Sequence, residues 1–226
     1  MDGANETLSF LSHFLDTNTP GYGGSPGFDR SSLKSICDGG SCNQESWVIN
    51  NHIGTHVDAP FHFCAEGEKV TDVEPSFWFF SKPCLIDINL EEGDLISPEH
   101  IASLVSEDSD LLLIRTGFEQ YREESRYWAK NPGLSPELGT WLRSERPSLR
   151  MIGMDFISIT SYLHRDLGKK AHRAVLAKEG PGKAIWAIED MKLAHLKHSP
   201  NEVTVAPLLV NNADGGPVTV FAKGGL

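Results

Sequence analysis

The stretch from Asn51 to Phe63 constrains this chain more than any other part of it. Its odd positions are mostly apolar, whereas its even positions carry three histidines and an aspartate, namely His52, His56, Asp58 and His62. Alternate side chains of an extended segment point to opposite faces, so one face would enter a core and the other would present these polar groups. The i, i+4 spacings would also suit a helix, but Gly54 and Pro60 disfavour regular helix. We therefore predict an extended segment.

Three imidazoles and a carboxylate on one face predict a metal site. A lone histidine in a strand is more often a hydrogen-bonded structural residue, but burying this whole set without a partner would be costly. Imidazole and carboxylate ligands suit zinc, manganese or ferrous iron, and two histidines with the aspartate leave positions open for water and substrate. Such an ion can activate water and polarise a carbonyl, which favours hydrolysis of an amide, lactone or similar acyl bond. His62 is then free to transfer protons.

Length and charge limit the class of partner. A chain of 226 residues can bury a core without disulfides or a structural metal. Its 20 lysines and arginines against 31 acidic residues, a net charge of -11, argue against broad binding to nucleic acid or an anionic membrane. We expect a small-molecule substrate. The segment from Met1 to Asp16 lacks a basic region before an apolar stretch, and no apolar run approaches the ~18 residues of a membrane span. We therefore expect a soluble cytoplasmic protein.

Four cysteines are few for this length and lack the paired CxxC spacings of structural zinc sites. We expect reduced thiols rather than a disulfide between Cys37 and Cys42. The aromatic patch at residues 76–80 favours core or a subunit interface over a substrate cage.

Hydrophobic patterns and turn signals predict strands and helices mixed in a single domain, residues 1–226. The predicted strands cover residues 32–37, 42–51, 84–88, 111–114, 150–154, 184–188, 203–210 and 217–222. The predicted helices cover residues 98–105, 119–130, 136–143 and 166–178, two of them opened by a serine followed by proline. His172 lies in the last of these helices and Glu189 at the end of a strand. Such positions are ordinary, so the residues alone assign neither of them a role.

The segment from His52 to Phe63 resembles the HxGTHxDxPxHF signature of a metal-dependent cyclase/hydrolase family, and it matches every fixed position. That family includes bacterial kynurenine formamidase, isatin hydrolase and trans-dienelactone hydrolase. Residues 113–117 are similar to its strand that ends in an RTG turn, and residues 153–158 to its G-x-D-x-x-S segment. Ala171-His172-Arg173 and Ile188-Glu189 resemble its late histidine and glutamate.

This resemblance implies an α/β fold whose mixed β-sheets form a barrel-like core with peripheral helices, of the swivelling β/β/α type. It implies a first divalent ion, Zn²⁺ or Mn²⁺, bound by His52, His56 and Asp58. Asp58 would bridge to a second ion held by His172 and Glu189 in two-metal members. The segment between His172 and Glu189 is longer than in the formamidases, so the number of bound ions, one or two, is left open.

The resemblance also implies roles outside the ligand set. His62 would be the catalytic acid/base, and Tyr22, in the loop before residue 30, would contribute to the substrate pocket. Family members are usually dimers or tetramers, so a homodimer or homotetramer is expected.

The resulting hypothesis is a metal-dependent hydrolase that opens the C–N or C–O bond of a small aromatic or cyclic amide or lactone, similar to arylformamidases. A biosynthetic cyclase or dehydratase would need the same ligands, with the ion acting as a Lewis acid. A non-catalytic metal-binding descendant would not require His62, so the presence of this residue favours an enzyme.

Overall fold

The computed structural model describes residues 7–226, which form thirteen β-strands and four α-helices. The strands are β1 Leu8–Phe10, β2 Phe28–Lys34, β3 Gln44–Ile49, β4 His56–Asp58, β5 Phe79–Phe80, β6 Pro83–Asp87, β7 Leu95–Ile96, β8 Leu111–Arg115, β9 Gly133–Leu134, β10 Met151–Met154, β11 Trp186–Glu189, β12 Glu202–Pro207 and β13 Gly215–Lys223. The α-helices are α1 Pro98–Ile101, α2 Arg126–Ala129, α3 Pro136–Glu145 and α4 Arg165–Leu176. None of the helices within this described range has the length and apolar character needed to cross a membrane.

Nine strands form one mixed sheet that curls nearly into a barrel. The strand order is β5-β12-β13-β4-β11-β10-β8-β6, and β1 also pairs with β13. Strands β6, β8, β10 and β11 are parallel, whereas β4, β12 and β13 pair antiparallel with their neighbours. The two ends of this order, β5 and β6, are joined by Ser81 and Lys82 alone, so the edges of the sheet return to one place. The predicted barrel-like, mixed-sheet α/β fold is confirmed.

The wholly apolar strand β8 shows how the core is built on both faces of this sheet. Leu112 and Ile114 pack with α3 and α4 in one apolar cluster, whereas Leu111 and Leu113 pack in a second cluster with residues of β4, β12 and β13. Strands buried on both faces are expected to be apolar throughout, and burying each leucine contributes about 1.5–3 kcal/mol. The aromatic patch is instead divided between core and surface, since Phe80 is buried in the second cluster whereas Phe79 is 60% exposed.

Two predicted elements differ in kind or continuity from the observed ones, and two others differ in extent, since the helix predicted at 98–105 ends at Ile101 and the strand predicted at 32–37 covers residues 28–34. The charged segment 119–130 is not one solvated helix but a 3-10 helix, Phe118–Tyr121, followed by the short α2. Tyr127 of α2 is fully buried, and it points inward because its hydroxyl donates to Asp190. The extended segment 51–63 is likewise interrupted, since β4 covers three residues and is followed by the 3-10 helix Pro60–His62. Gly54 breaks it at the start with a φ of 63°, in the left-handed region that favours glycine.

Candidate metal centre

All seven side chains predicted for the site line one cavity of about 590 Å³, namely Tyr22, His52, His56, Asp58, His62, His172 and Glu189. The antiparallel pairing of β4 with β11 places His56 directly opposite Glu189. The 3-10 helix after β4 carries His62, and α4 contributes His172 from the other side. Residues more than a hundred positions apart thus meet where β4, β11 and α4 converge.

Two imidazoles and two carboxylates alternate around a buried ring formed by His56, Asp58, His172 and Glu189. The Nε2 of His56 lies 3.5 Å from both Asp58 Oδ1 and Glu189 Oε2. The Nε2 of His172 lies 3.8 Å from Asp58 Oδ2 and 3.5 Å from Glu189 Oε1. Two ligand atoms bound about 2.1 Å from one tetrahedral ion lie about 3.4 Å apart. The ring therefore has the size that a bound cation requires.

The other nitrogens of these two imidazoles are engaged by the surrounding structure. The Nδ1 of His56 lies 2.8 Å from the Gly54 carbonyl, and the Nδ1 of His172 lies 3.0 Å from the Gly168 carbonyl. The backbone N–H of Ile159 donates to Glu189 Oε1 at 2.7 Å. Histidine ligands of metals usually donate their second N–H in this way, which directs the free nitrogen at the ion. Both Nε2 atoms are thus oriented into the ring.

The electrostatics of the ring also favour a cation. Burial lowers the pKa of His56, but the hydrogen bond and charge of Asp58 and the charge of Glu189 raise it to about 9. Burial likewise lowers the pKa of His172, and Glu189 reverses this so that the net shift is upward. Burial raises the pKa of Asp58, yet His52 and His56 hold it well below its usual range. These carboxylates need a neutralising charge, which protonated imidazoles or a metal ion can supply, so the donor set fits a divalent cation.

Asp58 is shared between two groups of possible ligands. One group comprises His52, His56 and Asp58, and the other comprises Asp58, His172 and Glu189, with the ligand atoms of each group within 4.8 Å of one another. This arrangement has donors for one ion or for two ions bridged by Asp58.

Asp214 completes the site and was not predicted from the sequence. Its Oδ2 accepts hydrogen bonds from His62 Nδ1 at 2.9 Å and from His52 Nε2 at 3.1 Å. Burial raises the pKa of Asp214, but these two histidines lower it below its usual value. The next residue, Gly215, pairs with Asp58, and a Cβ there would lie 2.7 Å from His52 Cε1. The sequence indicates a turn at residues 211–216, and no local spacing connects this turn to the histidines.

Aromatic and cationic side chains form the cavity wall. The ring of Phe63 stacks on that of His172 with centroids 4.4 Å apart, and Tyr22 contacts Tyr162 edge-on. Arg165 and Lys169, which were not predicted as site residues, also line the cavity. Their place on the same helix face as His172 could have been read from the sequence once His172 had been assigned to the site.

This chain is similar to known proteins in its family pattern, in its sequence and in its structure. The sequence model of the putative cyclase family matches residues 10–161. The kynurenine formamidase of Bacillus cereus is 31% identical over 214 residues, which is 94% of this chain and 95% of that relative. Isatin hydrolase A from Labrenzia aggregata, bound to benzyl benzoate, superposes with a TM-score of 0.76 at 20% identity, covering 97% of this chain and 94% of that chain. A potential metal-dependent hydrolase with cyclase activity superposes with a TM-score of 0.74 at 18% identity, covering 96% of each chain.

Proposed function

Because this chain belongs to the putative cyclase family, we propose that it is a metal-dependent hydrolase that opens the C–N bond of a small aromatic amide or the C–O bond of a lactone. The observation that carries the proposal is the buried ring of His56, Asp58, His172 and Glu189 beside the hydrogen-bonded pair of His62 and Asp214. The kynurenine formamidase relative supports an amide as substrate.

The ligands in this proposal are His52, His56, Asp58, His172 and Glu189, holding one or two zinc or manganese ions. When bound, a divalent ion supplies Lewis acidity and lowers the pKa of water. The ring orients its imidazole nitrogens and carboxylate oxygens inward through contacts with the surrounding backbone. This preorganisation reduces the conformational cost of binding.

His62 is the proposed acid/base. Its Nδ1 is engaged by Asp214, so its Nε2 is available to take a proton from the attacking water and return one to the leaving nitrogen or oxygen. Asp214 fixes the orientation and tautomer of the imidazole, as the carboxylate does in other Asp–His pairs. The side chain of His62 is 26% exposed, so protons can exchange with solvent between turnovers.

The walls favour a flat, small substrate. The apolar and aromatic side chains of Tyr22, Phe63 and Ile157 all line the cavity. A volume of about 590 Å³ lies in the usual range for small-molecule sites. The aromatic ring of a substrate would stack favourably on such side chains. It would also displace water from the ring of His56, Asp58, His172 and Glu189.

We also propose a homodimer or homotetramer. The β2–β3 hairpin exposes large apolar side chains, and those with the greatest exposure are Trp47 at 66% and Val48 at 69%. Exposed apolar surface of this kind marks protein interfaces. Light scattering should give a mass of two or four chains, and Trp47→Asp should reduce it, whereas a monomeric wild-type protein would contradict this proposal.

Elemental analysis followed by a substrate screen tests the enzymatic proposal. The purified protein should contain about one or two divalent ions per chain. It should turn over N-formylkynurenine, isatin or a simple lactone with matched metals, and a chelator-treated sample should lose this activity and regain it when metal is returned. Failure on all three substrates, with metal bound, would overturn the proposed reaction.

A further inference from the structure

Helix α4 presents more than one functional side chain to the cavity. Arg165, Lys169 and His172 follow one another at i, i+4 and i+7, and all three line the cavity. Such positions share one face of a helix. With a rise of 1.5 Å per residue, Lys169 lies about 4.5 Å and Arg165 about 10 Å along the axis from His172. Along α4, the cavity wall therefore carries the proposed metal ligand His172 and, farther from the metal centre, the two cationic side chains of Lys169 and Arg165.

Arg165 is held at the cavity by aromatic side chains rather than by an acid. Its guanidinium lies 3.9 Å from the centroid of the Tyr162 ring, and that ring contacts Tyr22. Burial raises the pKa of Tyr22, and the nearby charge of Arg165 opposes this rise. Among residues 7–226, no carboxylate forms an ion pair with Arg165. The charge of Arg165 is thus not neutralised by an acid and is available to an anionic ligand.

Lys169 is similarly available. Its Nζ lies 3.7 Å from Asp166 Oδ1, and the two side chains are 70% and 95% exposed. An ion pair with this exposure contributes little and exchanges readily with solvent. A carboxylate that entered the cavity mouth would displace it at small cost.

We propose that Arg165 and Lys169 form an anion subsite that selects substrates carrying a carboxylate about 5–10 Å from the bond that is hydrolysed. The proposal rests on the hydrolase function given above. Arginine and lysine together bind a carboxylate through charge-assisted hydrogen bonds. They also offset locally the chain's net charge of -11, which would otherwise repel an anion. A neutral compound such as isatin would make no use of this subsite.

Binding of a pair of substrate analogues that lack the aryl formamide tests the subsite without requiring turnover. The ligands are 3-(4-acetylphenyl)propanoate and 3-(4-acetylphenyl)propanamide, in which the acetyl group replaces the scissile amide and the carboxylate lies about 8 Å from the acyl carbon. Calorimetry on the metal-loaded protein should show about tenfold tighter binding of the carboxylate. The Arg165→Gln/Lys169→Gln double variant should reduce this ratio to about one. Lys170→Gln is the matched control, since Lys170 is exposed on α4 outside the cavity lining, and it should keep the ratio.

Turnover of the corresponding formamides separates this proposal from the general one. If the wild-type protein hydrolyses 3-(4-formamidophenyl)propanoate and its propanamide equally well, and binds the acetyl pair equally, the anion subsite is overturned while the hydrolase stands. If it binds the carboxylate selectively but releases formate from neither compound, the subsite is supported while the hydrolysis of aryl formamides fails. Circular dichroism of the double variant checks that the fold is retained.

Discussion

His62 and Asp214 are hydrogen bonded at 2.9 Å although 152 positions separate them in the chain. The aspartate reaches the histidine because β13, which begins one residue later, pairs with β4 at Gly215 and Asp58. The same carboxylate oxygen also accepts from His52. One acidic side chain therefore orients both the proposed proton carrier and a proposed metal ligand.

Asp214→Asn should impair catalysis more than folding. The amide can still occupy the space but lacks the carboxylate that orients His62, and removing such a supporting carboxylate typically costs about 10- to 100-fold in activity or metal affinity. We expect kcat to fall by this factor with near-normal thermal stability. Asp108→Asn is a suitable control, since Asp108 pairs with Lys82 at the surface. Wild-type kcat in the Asp214 variant would contradict the orienting role.

His62→Ala should separate catalysis from metal binding. His62 is absent from the ring of alternating imidazoles and carboxylates, so its loss should leave the metal content unchanged. Removal of a general acid/base lowers kcat by roughly 10²- to 10⁴-fold. Steady-state kinetics and elemental analysis on the same sample measure both quantities. His198→Ala, at an exposed histidine, should leave both unaltered, and wild-type turnover by the His62 variant would remove this residue from the mechanism.

Asp58→Ala should remove the metal and the activity together. Asp58 belongs to both groups of possible ligands, so its loss removes a donor from each group and leaves Glu189 as the one carboxylate of the ring. Elemental analysis after dialysis against a weak chelator should detect little or no ion, whereas Asp72→Ala, at an exposed position, should retain it. Full occupancy in the Asp58 variant would show that the ligand set is wrong.

The sequence predicts those residues of this site that lie close together in the chain. His52, His56, Asp58 and His62 fall within one short segment, and their spacing predicts a polar face even though the segment is not one continuous strand. Asp214 has no such signal, because it is brought into place by the pairing of β13 with β4.

The secondary structure likewise could be predicted from the sequence only where the local residue pattern reflects burial. The apolar strand at 111–114 is predicted correctly because burial on both faces leaves a continuous apolar run. The helix predicted at 119–130 is wrong because charge suggested a solvated surface. Arg122 in fact turns inward and pairs with Asp190.

Asp190→Ala should destabilise the protein strongly. Asp190 is 1% exposed, and it accepts three hydrogen bonds from the Arg122 guanidinium, at 2.7, 2.8 and 3.1 Å, and one from the Tyr127 hydroxyl at 2.5 Å. Removing one partner of a buried ion pair leaves an uncompensated charge and costs about 3–5 kcal/mol. Urea denaturation measures this loss. Asp108→Ala breaks an exposed pair and should leave stability nearly unchanged, and an equally small loss for Asp190 would argue against a structural role of the pair.

The buried carboxyl of Asp155 should make stability depend on pH. Burial raises its pKa from 3.8 to about 6, although Thr116 and Gly117 donate hydrogen bonds that oppose the rise. Between these two values the folded state binds the proton more tightly than the unfolded state does. The stabilising contribution of Asp155 is therefore full below pH 4 and is lost as the pH rises through 6. A shift of roughly two units corresponds to about 3 kcal/mol.

Comparison of the wild-type protein with Asp155→Asn isolates this contribution, because the asparagine does not titrate. The difference in free energy of unfolding, wild type minus variant, should fall by about 3 kcal/mol between pH 4 and pH 7. Urea denaturation at several pH values measures it, and other titrating groups cancel in the difference because both proteins share them. The hydrogen bonds from Thr116 and Gly117 favour the ionised carboxylate, so a difference that instead grows with pH would mean that they outweigh burial.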